Sequence, residues 1–114
     1  MTSSGAEAEQ LAVTFLQRQG LKLVERNYRC RFGEIDLILT DRQTLVFVEV
    51  RLRNSQNFGG AAASVTPHKQ AKLLRAARHY LSDQARPPPC RFDVVLLSSM
   101  AHENLEWIKD AFGE

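Results

Sequence analysis

The sequence predicts an α/β sandwich of order α-β-β-β-α-β, a mixed sheet with a helix on each side. Three observations carry this. Two strand-length apolar runs, Gly33–Leu39 and Leu45–Arg51, are joined by Thr40–Thr44, a link short enough for an antiparallel hairpin. Helical periodicity precedes the pair and recurs after it. A last apolar run, Phe92–Ser98, follows the helix-blocking Pro87-Pro88-Pro89 and supplies another buried strand.

The first helix is expected over Gly5–Gln19. Ser4 and Glu7 have capping-box spacing, Ala8, Leu11, Ala12, Phe15 and Leu16 form an apolar stripe, and Gly20 is placed to end the helix. Glu9 borders the stripe, from where it either leans over the sheet toward Asp36 and Glu49 or is merely exposed. Leu21–Arg29 reads as a first strand in which Leu21, Leu23 and Tyr28 pack, with Glu25 and Arg26 near a bend. After the hairpin, Arg53–Gly60 is a polar loop whose Phe58 and Gly59-Gly60 either face a substrate or simply connect. Thr66 as cap and Pro67 in the first turn start a second helix, Pro67–Ser82. Its inward stripe is Gln70, Leu73, Leu74, Ala77, Tyr80 and Leu81; His68, Lys72, Arg75 and His79 follow one another on another face. Asp93 is read as structural, pairing with Arg91 or a neighbouring strand. The tail Leu105–Phe112 forms an edge strand or a covering turn, with Trp107 and Phe112 as packing residues.

Both hairpin strands carry acids among Ile, Leu, Val and Phe. A buried carboxylate costs several kcal/mol unless a cation, metal or hydrogen-bond partner compensates it, on the order of the penalties known for buried ions. With a symmetric loop, Asp36 faces Glu49 and Glu34 faces Arg51, all four on the sheet face of Ile38, Leu45 and Phe47. Opposed Cβ atoms lie about 4.5 to 5.5 Å apart, so the two carboxylates either share a divalent cation or sit on a solvated face beside arginines. An odd-length or bulged loop breaks this pairing.

The runs Gly33-Glu34-Ile35-Asp36-Leu37-Ile38 and Val46-Phe47-Val48-Glu49-Val50-Arg51 resemble the YraN family of small bacterial proteins, within the restriction-endonuclease-like, or PD-(D/E)XK, nuclease superfamily. Glu9-Gln10-Leu11-Ala12, Glu25-Arg26-Asn27-Tyr28-Arg29, Phe58-Gly59, the helix from Pro67 and Arg91-Phe92-Asp93-Val94-Val95 extend the resemblance in order over most of the chain. It implies a restriction-endonuclease-like sandwich and a Mg²⁺- or Mn²⁺-dependent phosphodiester hydrolase core similar to that of Holliday-junction resolvases. Asp36 matches the superfamily's central metal-binding Asp, Glu49 the acidic residue of its acid-x-Lys signature, and Glu9 the helix Glu that completes the metal set. Arg51 stands where the signature has Lys. Arg stabilises charge on phosphate but stays protonated and cannot act as a base.

Composition bounds the rest. Residues 1–114 suit one domain of ordinary soluble composition, 44% hydrophobic and 25% charged. A polar start and strand-sized apolar runs predict neither signal peptide nor membrane span, hence a cytoplasmic protein. Cys30 and Cys90 are too few and too distant for a disulfide framework or a Cys-x-x-Cys site, and are expected to be reduced, buried small residues. His68, His79 and His102 offer no close metal-binding pair. The net charge of +2 conceals a division: residues 1–50 carry −1, residues 51–91 carry +7 and residues 92–114 carry −4. A basic segment directly after the acidic strands either attracts a polyanion, with nucleic acid as the expected partner, or is a solvated helix face.

These readings assign Asp36, Glu49 and Arg51 to catalysis and Glu9, Asp36 and Glu49 to the metal. Arg53, His68, Lys69, Lys72, Arg75 and His79 are the phosphate-backbone contacts, with Glu34 and Gln70 in support. Glu34 would orient Arg51 or bind metal through water. The expected substrate is branched or damaged DNA, and a homodimer is expected by analogy with resolvases. Two other readings stand beside it: a nucleic-acid-binding module that no longer cleaves, and a protein-interaction adaptor using the acidic tail and an exposed hydrophobic edge.

Overall fold

The computed structural model describes residues 4–53, 65–98 and 105–113, without the side chains of Ser4, Arg53 and Ser98. The chain runs α1 (Ser4–Arg18), β1 (Lys22–Cys30), β2 (Gly33–Asp41), β3 (Thr44–Arg53), α2 (Pro67–Tyr80), β4 (Cys90–Ser98) and β5 (Glu106–Phe112). The strands form one sheet in chain order. β3 and β4 are parallel and every other neighbouring pair is antiparallel. A parallel pair needs a long crossover, and α2 lies in it. The α/β architecture is the expected one, with the tail resolved as the edge strand β5. The Ser4 side chain of the expected capping box, Phe58, Gly59-Gly60 and His102 lie outside the described residues. Among the described residues no helix is long and apolar enough to cross a membrane.

Both helix signals act where expected. Gly20, at φ +99°, donates its amide to the Gln17 carbonyl at 3.0 Å, and the Leu21 amide reaches the Leu16 carbonyl at 3.1 Å. This paired closure satisfies carbonyls that the end of α1 would orphan, and it needs a left-handed residue that glycine supplies cheaply. At α2 the Thr66 hydroxyl accepts the Lys69 amide at 3.2 Å, ahead of Pro67 in the first turn.

The helices cover opposite sheet faces. Ala8, Ala12, Val13 and Leu16 of α1 pack on Leu37, Leu39, Val46, Val48, Val95 and Leu97. Leu73, Ala76 and Ala77 of α2 pack on Ile35, Ile38, Leu45, Phe47, Phe92, Val94 and Leu96. This two-sided burial explains why the central strands read as near-continuous apolar runs. Each buried Leu, Ile, Val or Phe contributes roughly 1.5–3 kcal/mol of transfer free energy. Val13 and Ala76 belong to these cores although neither stood in an expected stripe. The half-buried Gln70 donates its side-chain amide to the Val65 carbonyl at 2.9 Å and ties down the chain entering α2. The cysteines are corrected. Both are free thiols, but Cys30, at the end of β1, is only half-buried against the α2-side core, and Cys90, at the start of β4, is exposed.

Asp93 is structural, as expected, and fully buried. Its carboxylate accepts the Arg91 guanidinium at 3.0 Å, the Trp107 indole N–H at 2.9 Å and the Asp110 amide at 2.9 Å. Arg91 also reaches Asp41 at 3.0 Å. Charge pairing plus three donors offset the desolvation of that carboxylate and clasp β5 to the sheet. Trp107 meets Phe15 edge-on at 5.8 Å and Phe112 stacks on Phe92 at 5.1 Å, so both tail aromatics pack rather than face solvent.

Candidate metal and phosphate site

From Leu37 opposite Val48 to Asp41 opposite Thr44, the β2–β3 ladder keeps the register of the symmetric hairpin. Beyond Leu37 the strands part. The Asp36 carboxylate accepts the Val50 amide at 2.9 Å, so a side chain occupies a position that a strand carbonyl would otherwise fill. Ile35 and Ile38 both enter the α2-side core, which breaks the alternation between them. Glu34, Asp36, Glu49 and Arg51 therefore do not share a single pleated face. Glu34 is corrected in partner: it pairs with Arg29 at 3.1 Å across the β1–β2 turn rather than with Arg51. Arg29 opposes Glu34 in the β1–β2 ladder, where cross-strand opposite charges attract. Arg51 donates instead to Glu49 at 3.3 Å, two residues back on its own strand.

The break lets acids from both sides meet. Glu49 is 4% exposed, and its Oε1 has no hydrogen-bond partner among the described residues. Burial pushes its carboxyl up to about 7; the neighbouring Asp36 charge adds to the rise, while Lys69 and Arg51 oppose it. Lys69 reaches in from α2, its Nζ 3.9 Å from Glu49 Oε2. Asp36 is likewise raised, first by burial and against the pull of the Val50 amide, with Glu34 adding to the rise. Glu9 of α1 is raised as well, by burial and then by the nearby Asp36 charge, while Asn27 opposes the rise. Asn27 sits in β1 at φ +53°, a left-handed conformation that Asn tolerates better than most residues. Three carboxyls raised together mark one acidic cluster with too few compensating cations.

The expected phosphate contacts divide. Lys69 and Lys72 line a cleft of about 330 Å³ with Arg29, Cys30, Gly33 and Glu34. His68 and Arg75 are exposed on α2. His79 is exposed too, its ring 5.7 Å edge-on from that of Phe32, which also carries the Arg31 guanidinium 4.8 Å from its centroid. The Arg53 side chain lies outside the described residues. Sequence reading missed Arg29 and Asn27. The signal for Arg29 was its place opposite Glu34 across a two-residue turn; nothing in the sequence singled out Asn27.

Among the described residues no three acidic, thiol or imidazole groups form a ready-made cation cage. Asp36 is turned to the Val50 amide, and Glu49 Oε2 is shared by Arg51 and Lys69. What the cluster offers is an orphaned buried oxygen of Glu49 near Asp36, with Glu9 near Asp36 in turn. Such oxygens suit a hard divalent cation. Mg²⁺ in particular is commonly held by one or two carboxylates, with water and substrate phosphate completing its shell. The cluster also lies toward the carboxyl end of the parallel β3–β4 pair, where open α/β sheets place their ligands.

The chain's similarity to known proteins is extensive. A UPF0102 protein of Nitrosomonas europaea is 57% identical over 98% of this chain and 95% of its own length. One from Nitrosomonas eutropha is 60% identical over the same shares, and one from Cupriavidus taiwanensis is 58% identical over 95% of this chain and 81% of its own. Residues 8–97 match the model of the uncharacterised protein family UPF0102, a span that includes Glu9, Asp36, Glu49 and Lys69. The chain therefore belongs to family UPF0102, the YraN family that its strand motifs resemble.

Proposed function

We propose that this protein is a Mg²⁺- or Mn²⁺-dependent phosphodiesterase that cuts DNA, with branched or damaged DNA as its substrate class. The observation that carries the reading is the orphaned, buried Oε1 of Glu49 near Asp36, with the Lys69 and Arg51 cations beside Glu49 and with Glu9 near Asp36. Glu49 and Asp36 would hold the cation, with Glu9 completing the acidic set. When bound, the cation would supply an activated water and charge stabilisation at the phosphoryl oxygens. Arg51 donates to those oxygens and, staying protonated, takes no part as a base. Lys69 lowers the negative potential that three carboxyls would otherwise present to an incoming phosphate.

Arg51, paired with Glu49 in place of the signature's Lys, favours a second reading: a DNA-binding module that has lost cleavage. The deciding experiment is cleavage of labelled four-way-junction, flap, duplex and single-stranded DNA with Mn²⁺ or Mg²⁺, comparing the parent chain with Glu49→Gln. Metal-dependent cleavage that disappears in the variant is expected, and it ranks the substrates. Salt-sensitive binding without cleavage selects the module. Neither binding nor cleavage selects the protein-interaction adaptor.

A further inference from the structure

Next to the acidic cluster, between the β1–β2 turn and the first turns of α2, lies the cleft of Arg29, Cys30, Gly33, Glu34, Lys69 and Lys72. Three cations from two elements face a single acid, and that acid is neutralised by Arg29. The Arg29 side chain is 77% exposed and Lys72 is exposed with no ion pair among the described residues, so both retain hydrogen-bonding capacity toward solvent. Gly33, at φ +148°, brings the turn against α2; a Cβ there would lie 3.7 Å from that of Lys72. Lys69 belongs to both places, lining the cleft while its ammonium lies 3.9 Å from Glu49. A polyanion crossing from solvent to the carboxylates thus meets cations before it meets acids, and Lys69 stands at the boundary.

We propose that this cleft is a subsite for a DNA backbone phosphate adjoining the one attacked, held by Arg29 and Lys72, with Lys69 linking the subsite to the acidic cluster. The inference rests on the phosphodiesterase reading and extends it by giving the strand a path: past the β1–β2 turn and along the start of α2. Contacts of this kind position a strand without reading its sequence.

The two thiols supply the test. Cys30 lines the cleft and pairs with Gly33, whereas Cys90 pairs with Leu45 at the other end of the sheet. Alkylation of both by N-ethylmaleimide is followed by mass spectrometry in EDTA, with and without a saturating DNA oligonucleotide. DNA is expected to slow Cys30 and leave Cys90 unchanged; equal protection of both, or of neither, overturns the subsite. Binding is measured in parallel by anisotropy. Lys72→Ala is expected to weaken every DNA form tested and to lower the salt slope by about one, as loss of one phosphate contact does. Arg42→Ala, at the far hairpin tip, is expected to change neither; a Lys72 variant with the parent's slope overturns the assignment. Protection of Cys30 without metal-dependent cleavage removes the phosphodiesterase and keeps the subsite, whereas cleavage with equally reactive thiols does the reverse.

Discussion

Asp36 both faces the acidic cluster and closes the backbone, and its substitutions separate the two roles. Its removal relieves the repulsion between two neighbouring carboxylates, a repulsion that raises the pKa of Glu49. The structure adds the Val50 amide, which Asp36→Ala leaves without its acceptor in a partly buried position. An unsatisfied buried donor costs about 1–3 kcal/mol. Asp36→Asn keeps an acceptor oxygen and removes the charge. Urea unfolding is expected to rank the Asn variant at or above the parent and the Ala variant below both, while Mn²⁺ titration shows lost binding in each. An Ala variant as stable as the Asn variant would show that the Val50 contact contributes nothing. Asp36 and Glu49 were legible because acids inside apolar strands demand a partner. Lys69 beside Glu49 was not, because twenty residues and a crossover separate them and no local pattern encodes that distance.

Among the elements, β5 was the least legible and has the most particular anchor. Its apolar residues alternate poorly: its ladder with β4 shifts between Phe92 and Val94, and Asp110 takes a left-handed φ of +52°. Such a break hides the two-residue period by which strands are recognised. In place of periodicity the strand is held by Asp93. Asp93→Ala leaves Arg91 short of a buried partner and orphans the Trp107 indole and the Asp110 amide. The expected loss is about 3–5 kcal/mol, the range for breaking a buried charge pair. Trp107 fluorescence should shift to the red at lower denaturant than global unfolding, as β5 detaches first. The helices were legible by contrast: Gly20, Thr66 and Pro67 state their ends in local chemistry that tertiary contacts did not override.

For the whole molecule, the acidic cluster sets a pH dependence of stability. The folded-state pKa values of Glu49, Asp36 and Glu9 are all raised, so between the ordinary carboxylate range and about 7 the folded chain holds more protons than the unfolded one. Stability then falls as pH rises through that window and levels off above it. The drop should be on the order of 1–3 kcal/mol, given the size of linkage effects per pKa unit. Glu49→Gln should flatten the curve. Mn²⁺, which binds ionised carboxylates, should stabilise the parent most above about pH 7. Denaturant midpoints across this range check both, and a parent curve that rises with pH would contradict the shared direction of the three shifts. Charge counting located the basic excess in residues 51–91 but not its distribution. Arg51 and Arg91 are engaged by Glu49 and by Asp93 with Asp41, while Lys69 and Lys72 face the cleft.

The two apolar layers lie on opposite sides of the sheet, each with its own helix. At Asp36, where β2 and β3 part, Glu9 from α1 and Lys69 from α2 approach the same carboxylate pair. If the proposed cation binds here, the opening would also join the two layers. An occupant bridging these groups would brace the two layers against independent opening, so that a single small ligand would sharpen the cooperativity of the entire fold.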